Sequence, residues 1–210
     1  MLREDAYERL KESLFSSAIK PGQFVSQKQL AELIGCPLGP TREAIQRLAA
    51  ESLLQVAPQR GIVVSELSVD FIREVFHLRS MIEREAIRLF FARVSASEIE
   101  ALRKEHEEMQ RRADGGITEE LLKEALRLDW RFHDCIVGAL GNGLIEGVYR
   151  ANSNRMRLIQ SKRGFRPDRL VPTMQEHIAI LDAGQREGYQ AAVAAIERHL
   201  EEARRRSVLL

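Results

Sequence analysis

The sequence predicts a mainly α-helical protein: a small N-terminal helical domain with a β-hairpin, followed by an all-α antiparallel helical bundle. Apolar residues recur at helical spacing through most of the chain, and two short β-type runs flank the tripeptide PQR near residue 60. Glycine and proline breaks divide the remainder into helix-length segments. The predicted domains are residues 1–66 and 67–210.

The N-terminal domain contains three predicted helices and a hairpin. The first helix covers residues 4–19, and the second begins after Ser26, which has the capping-box spacing to Gln29. The third covers residues 40–53. The runs LLQVA and GIVVS then form the two strands of the hairpin. Three short helices and a hairpin are typical of a winged helix-turn-helix, whose second motif helix enters the major groove of DNA.

The second domain is predicted to be helical throughout. Its segments end at Gly, Ser or Pro breaks, and Ser95 with Glu98 forms another capping box. Helices joined by short connections pack as an antiparallel bundle. The predicted helices cover residues 69–92, 95–113, 118–140, 143–162, 169–186 and 188–207.

Composition restricts the classes of function. The chain has 210 residues, 44% of them hydrophobic, and a net charge of +1. This content supports a sizeable core, but any DNA contact must come from a local patch and not from bulk charge. No apolar run approaches the roughly 18 residues of a membrane span, no secretory signal opens the chain, and Cys36 and Cys135 form no CxxC motif. These features predict a cytoplasmic protein without a membrane partner.

Polar residues of the N-terminal domain are candidate contacts to double-stranded DNA. Thr41 and Arg42 are expected to point outward from the third helix, where an arginine can bind a phosphate or a guanine edge. Lys28 is placed to contact a backbone phosphate. Arg60 and Gly61 lie at the hairpin tip, where glycine permits close approach to a groove. Each residue taken singly also fits an ordinary solvated surface, so the arrangement carries the prediction.

Four side chains of the bundle are predicted to point inward and to suit a metal ion. Asp129 and His133 are four positions apart on one helix and share its apolar stripe. His177 and His199 lie on the apolar stripes of two other helices. Imidazoles with one carboxylate suit a divalent transition metal. The alternative is a set of ordinary hydrogen-bonded core histidines.

Other polar residues of the bundle receive different predictions. His77 and His106 lie in polar surroundings and are expected to be solvated. Glu176 falls about 100° around the helix from its neighbour His177, and is expected to face away from the site.

Three residues are candidates for binding an effector. Arg79 lies on an apolar helix face, where it forms a buried pair with Glu83 or another acid, or helps to neutralise a carboxylate ligand. Asn152 and Arg155 are weaker candidates for the same pocket.

The N-terminal part resembles the GntR superfamily of bacterial transcription regulators. The resemblance lies in KPGQFVSQKQLAELIG, PTREAIQRLAAESLL and RGIVV. The family pattern near the recognition helix is Ser-Arg-x-Pro-Val-Arg-Glu-Ala-Leu, and residues 40–45 match its last six positions closely. Pro37-Leu38-Gly39 replaces Ser-Arg-x, so Leu38 stands where the family has a base-reading arginine.

The bundle resembles the FCD effector domain of the FadR branch of that superfamily. The resemblance lies in LRSMIEREA, DWRFH, GN at 141–142, EHIAILDA and RHL. It implies a metal held by Asp129, His133, His177 and His199, with zinc expected and nickel or manganese as alternatives. It also implies a small organic acid as the ligand.

These observations predict a homodimeric transcription regulator that binds operator DNA and senses a small carboxylate near a bound divalent metal. One alternative is a metal-dependent hydrolase that activates water. Another is an effector-binding module that has lost operator recognition, because Pro37-Leu38-Gly39 departs from the family pattern.

Overall fold

The computed structural model describes residues 2–57, 61–163 and 166–208. It confirms the mainly α-helical fold with a small antiparallel sheet. The chain divides into two compact units. Unit 1 comprises Met1–Val75 with Arg150–Gly164, and unit 2 comprises Phe76–Tyr149 with Phe165–Leu210.

Unit 1 contains the three predicted helices and the predicted hairpin. The Ser26 side chain accepts from the Gln29 backbone N–H, and the Gln29 side chain accepts from that of Ser26, so the capping box is present. A two-residue strand, too short for a sequence pattern, pairs with the hairpin and gives the sheet order β1-β3-β2. The elements are α1 (Leu2–Phe15), β1 (Phe24–Val25), α2 (Gln27–Ile34), α3 (Leu38–Ala50), β2 (Leu54–Ala57) and β3 (Gly61–Val64).

Six long helices follow in the part of the chain that the structure describes, as predicted. The second capping box is also present, between Ser95 and Glu98. Helices α4 and α7 contribute residues to both units, whereas the other four belong to unit 2 alone. The helices are α4 (Val69–Arg93), α5 (Ala96–Asp114), α6 (Glu119–Gly138), α7 (Gly143–Arg163), α8 (Pro167–Glu187) and α9 (Tyr189–Val208).

Each unit has its own buried core. In unit 1, Leu10, Ile45 and Leu48 lie in one apolar cluster with Leu158 of α7. In unit 2, the main cluster joins residues of all six helices from α4 to α9, and contains Phe90, Phe132, Ile136, Ile180 and Ile196. Helix α8 packs against α5, α6 and α9, so a polar side chain on its inner face can reach partners on three helices.

One side-chain contact in unit 2 depends on a glycine. A Cβ placed on Gly184 of α8 would overlap the ring of Phe91 on α4. The absence of a side chain at Gly184 therefore leaves room for the Phe91 ring against α8. Among the described residues, no helix combines the length and apolar character needed to cross a membrane.

Candidate functional site

The four predicted metal ligands come together in unit 2. Asp129 and His133 lie on α6, His177 on α8 and His199 on α9. All four are buried, and one ligand atom from each lies within 4.8 Å of those of the others. The one-turn spacing of Asp129 and His133 places both on the inner face of α6, as the sequence predicts.

Aromatic packing orients the rings around this point. The Phe132 ring stacks on His177 with centroids 4.0 Å apart and planes inclined by 9°. The rings of His133 and His199 lie 5.1 and 4.8 Å from that of His177. Close packing of these rings leaves each imidazole little freedom to rotate.

Each clustered histidine has its Nδ1 engaged on the side away from the shared point. His133 Nδ1 lies 2.7 Å from Glu83 Oε2, and His199 Nδ1 lies 2.7 Å from Glu176 Oε2. A carboxylate only accepts, so these imidazoles donate through Nδ1, and in the neutral ring Nε2 then carries a lone pair.

The opposite ring nitrogens and the acid face one another. Asp129 Oδ1 lies 3.5 Å from His177 Nε2 and 3.9 Å from His133 Nε2. Both of these Nε2 atoms are buried and have no hydrogen-bond partner among the described residues. Buried polar atoms without partners are costly. A cation bound by these atoms would remove that cost, so the donor set fits a divalent transition metal.

Burial favours the neutral form of two of these histidines, His177 and His199. It lowers the pKa of His177 well below its ordinary value, with repulsion from the neighbouring His199 and His133 adding to the effect. Burial likewise lowers the pKa of His199. For Glu176, burial raises the pKa, but the bonds from His199 and Arg169 outweigh it and lower the pKa to about 2. Neutral imidazole is the form that binds metals.

Among the described polar groups of the site, Glu83 on α4 accepts the most hydrogen bonds. Its carboxylate accepts from Arg79 Nε at 2.6 Å, from His133 Nδ1 at 2.7 Å and from the Tyr149 hydroxyl at 2.8 Å. Burial raises the pKa of Glu83, but Arg79 and His133 lower it by more, so Glu83 stays ionised. The buried Arg79–Glu83 pair, one of the two sequence interpretations, is therefore present.

Arg79 has a donor group, Nη2, that its hydrogen bond with Glu83 does not use. Its side chain is 5% exposed. Its Nη2 is buried, with no hydrogen-bond partner among the residues described. Since Glu83 joins Arg79 to His133, this free N–H group belongs to the same polar network as the cluster.

Two expectations about the surroundings of the site are wrong. His106 is fully buried, and its Nε2 lies 3.1 Å from His177 Nδ1. It occupies the apolar stripe of α5, with Leu102 and Met109 one turn away on either side, a periodicity that could have revealed it. Glu176 does not face away: it lies at the seam where α8 packs against α9, and so reaches His199. His77 is exposed, as expected.

The candidate DNA contacts of unit 1 differ in their exposure to solvent. Arg42 is exposed and its Nε donates to Gln27 Oε1 at 2.9 Å, while Lys28 is exposed beside Glu32. The outward orientation of Thr41 is wrong. Its side chain is buried and donates to the Pro37 carbonyl at 2.8 Å, because it shares the apolar stripe of α3 with Ala44 and Ile45.

The hairpin tip is only partly described. Arg60 lies outside the described residues. Gly61 has a φ of +101°, and a Cβ there would lie 3.0 Å from the Val25 carbonyl oxygen. The pairing of β1 with β3 therefore already requires glycine at this position.

The two weaker effector candidates lie in unit 1 and have partners there. The Asn152 amide donates to the Val75 carbonyl at 2.9 Å. Arg155 Nε donates to the Glu51 carbonyl at 2.8 Å, and burial lowers the pKa of Arg155. Their role in effector binding stays a prediction.

Comparison with known families matches both parts of the chain. Residues 2–64 match the bacterial regulatory proteins of the gntR family. Residues 74–202 match the FCD domain.

Comparison with individual proteins also finds transcription regulators. The chain is 26% identical over 205 residues to the HTH-type transcriptional repressor RspR of Escherichia coli K12, covering 96% of this chain and 86% of that protein. It is 28% identical to the Nta operon transcriptional regulator of Aminobacter aminovorans, covering 87% of this chain and 85% of that one. The solved structure of E. coli McbR/YncC is similar in fold, with a TM-score of 0.76, 21% identity, and 97% and 95% of the two chains covered.

The bonds of Glu83 generate a prediction about stability. Glu83→Ala leaves Arg79 buried without its counter-ion, and we expect it to lower the free energy of unfolding of the metal-free protein by about 3–5 kcal/mol. Urea denaturation followed by circular dichroism measures this change.

Glu85→Ala is the matched control, because it removes an exposed carboxylate whose pair with Arg88 lies in solvent. It should change the stability little. A loss below about 1 kcal/mol for Glu83→Ala would show that the buried network is not what stabilises this region.

Proposed function

The chain is a DNA-binding transcription regulator of the GntR family with an FCD domain, and not an enzyme, and we propose that it binds operator DNA as a cytoplasmic homodimer. We propose further that it senses a small organic acid beside a divalent metal in unit 2. The observation that carries the proposal is the convergence of Asp129, His133, His177 and His199 within 4.8 Å.

The donor set supports a particular class of metal. Three imidazole nitrogens suit zinc or nickel, and a carboxylate oxygen also suits manganese, so zinc is proposed, with nickel or manganese as alternatives. The ion would supply a Lewis-acidic centre able to accept a carboxylate oxygen. The protein's part is to orient the imidazoles, which the Nδ1 contacts of His133 and His199 do.

The charges around the cluster favour an anionic effector. Glu83 is balanced by Arg79, and Glu176 is balanced by Arg169 at 2.7 Å. Asp129 alone then opposes the two positive charges of a bound metal. A carboxylate ligand would restore neutrality, and the free Nη2 of Arg79 could donate a charge-assisted hydrogen bond to it.

DNA binding is proposed to use α2 and α3. In a helix-turn-helix the second of these helices enters the major groove and the first crosses the backbone. Arg42, exposed on α3, is proposed to contact a guanine edge or a phosphate. Lys28, exposed in the first turn of α2, is proposed to contact a phosphate.

Exposed apolar side chains support the homodimer. Leu144 and Val148, one turn apart on α7, are 86% and 49% exposed, and Met81 on α4 is 60% exposed. Burial of such exposed apolar side chains favours association. A two-fold dimer also matches paired half-sites in an operator. A ligand would regulate DNA binding to the extent that it prefers one arrangement of the two DNA-binding units over another.

Removing an imidazole tests the metal site. His177→Ala and His199→Ala each delete one proposed ligand, so both variants should retain less metal than the wild type after dialysis. Elemental analysis measures the metal content per chain. His77→Ala, which alters an exposed histidine, should retain the wild-type content. Wild-type metal content in both His177→Ala and His199→Ala would contradict the proposed metal site.

Arg42→Ala tests the DNA surface. We expect an affinity loss of about tenfold or more for the DNA upstream of the protein's own gene, because one guanine contact contributes about 1–3 kcal/mol. Fluorescence anisotropy at stated salt measures the affinity, and sedimentation verifies that the dimer persists.

Arg88→Ala, an exposed arginine of α4, is the control and should bind as the wild type does. Equal affinities of Arg42→Ala and wild type would mean that another surface reads the DNA. Absence of wild-type binding would favour the effector-module alternative.

Arg79→Lys tests the carboxylate site while keeping a cation beside Glu83. The substitution removes the free guanidinium N–H, so calorimetric titration with mono-, di- and tricarboxylates should show weaker binding at unchanged metal content. Arg88→Lys serves as the control. An unchanged affinity for every carboxylate bound by the wild type would exclude Arg79 from the effector site.

A further inference from the structure

His106 is a buried histidine outside the four-residue cluster. It lies on α5, has no solvent exposure, and contacts a proposed ligand directly through His106 Nε2 and His177 Nδ1, which are 3.1 Å apart. Its other nitrogen, Nδ1, lies 2.7 Å from the Leu102 carbonyl oxygen. Both ring nitrogens of His106 are therefore engaged, one with backbone and one with the site.

The Leu102 carbonyl determines the direction of these hydrogen bonds. A carbonyl oxygen only accepts, so His106 Nδ1 must carry a proton. In the neutral ring Nε2 is then an acceptor, and the proton between the two histidines must belong to His177 Nδ1. His177 consequently keeps a lone pair on Nε2, the atom 3.5 Å from Asp129 Oδ1.

We propose that His106 is a positioning residue that fixes the tautomer and the ring orientation of His177 at the metal site. This inference rests on the proposed metal site. Phe132 fixes the plane of the His177 ring by stacking at 4.0 Å, and His106 fixes its rotation within that plane by accepting from Nδ1. The pair forms a hydrogen-bond chain from the α5 backbone to the cluster.

The contrast with the other two ligands makes the role specific. His133 and His199 donate to carboxylates, Glu83 and Glu176, whereas His177 donates to a neutral ring. A third such carboxylate would add a buried negative charge, and it would offset the positive charge that a bound divalent metal keeps beside Asp129 for an anionic effector. A neutral acceptor orients the Nδ1–H group of His177 in the same way without adding that charge.

Two substitutions separate the hydrogen bond from simple packing. His106→Gln keeps an acceptor at about the position of Nε2, while His106→Leu fills the space without one. Loss of an outer contact of a ligand typically lowers metal affinity 10–100-fold. Competition with a chromophoric chelator for Zn²⁺ should show a loss of about that size for His106→Leu and affinity close to wild type for His106→Gln.

The tautomer is measured in the metal-free protein. Long-range ¹H–¹⁵N spectra of ¹⁵N-histidine-labelled wild type should show His177 protonated on Nδ1. The same signal in His106→Leu should shift towards a mixture of the Nδ1–H and Nε2–H forms. The shift is not expected from a loss of packing alone.

The outcomes distinguish this inference from the proposed function. Protonation of His177 on Nε2 in the metal-free wild type, or wild-type Zn²⁺ affinity in His106→Leu, would overturn the positioning role. Failure of the wild type itself to bind Zn²⁺, Ni²⁺ or Mn²⁺ would overturn the metal site, while the tautomer measurement would still decide the hydrogen-bond chain.

Discussion

The structure of unit 2 depends on how it compensates polar atoms buried in a helical core. Asp129, His133 and His177 lie where an aliphatic bundle would place leucine, and burial without partners would oppose folding. The Nδ1 atoms of the clustered histidines are satisfied by neighbours on other helices. The Nε2 atoms of His133 and His177 are satisfied by no described residue, and a bound cation is the partner that fits them together with a carboxylate.

This network also joins the helices of the bundle. Glu83 is on α4, His106 on α5, His133 on α6, His177 on α8 and His199 on α9. Each of these five helices therefore contributes a polar side chain to one connected set of contacts. Under the proposed function, a ligand bound at the cluster would change the relative stability of two arrangements of these helices through such contacts.

Much of the fold and of the site is predictable from the sequence because both follow from periodicity and end signals. The capping boxes at Ser26 and Ser95 mark helix starts, and a four-residue spacing with apolar neighbours places Asp129 and His133 inward. The two-residue strand β1 is not predictable this way, because it exists only through its pairing with β3.

Two of the wrongly predicted side-chain orientations have a common cause. Two further contacts of the site could not be predicted without the structure. The outward orientation predicted for Thr41 and the solvation predicted for His106 are wrong because each residue lies on the buried stripe of its helix. The contact of Glu176 with His199 and the triple bonding of Glu83 depend on how neighbouring helices pack. Helical periodicity predicts the face of the helix on which a residue lies, but not the residue of a neighbouring helix that it contacts.

The most direct measurement is a crystal structure of the protein as purified, with anomalous diffraction collected across metal absorption edges. The account predicts one anomalous peak per chain, within bonding distance of Asp129 and of the imidazoles of His133, His177 and His199. Density showing these side chains apart, or each hydrogen-bonded to its own protein or water partners with no peak between them, would contradict it.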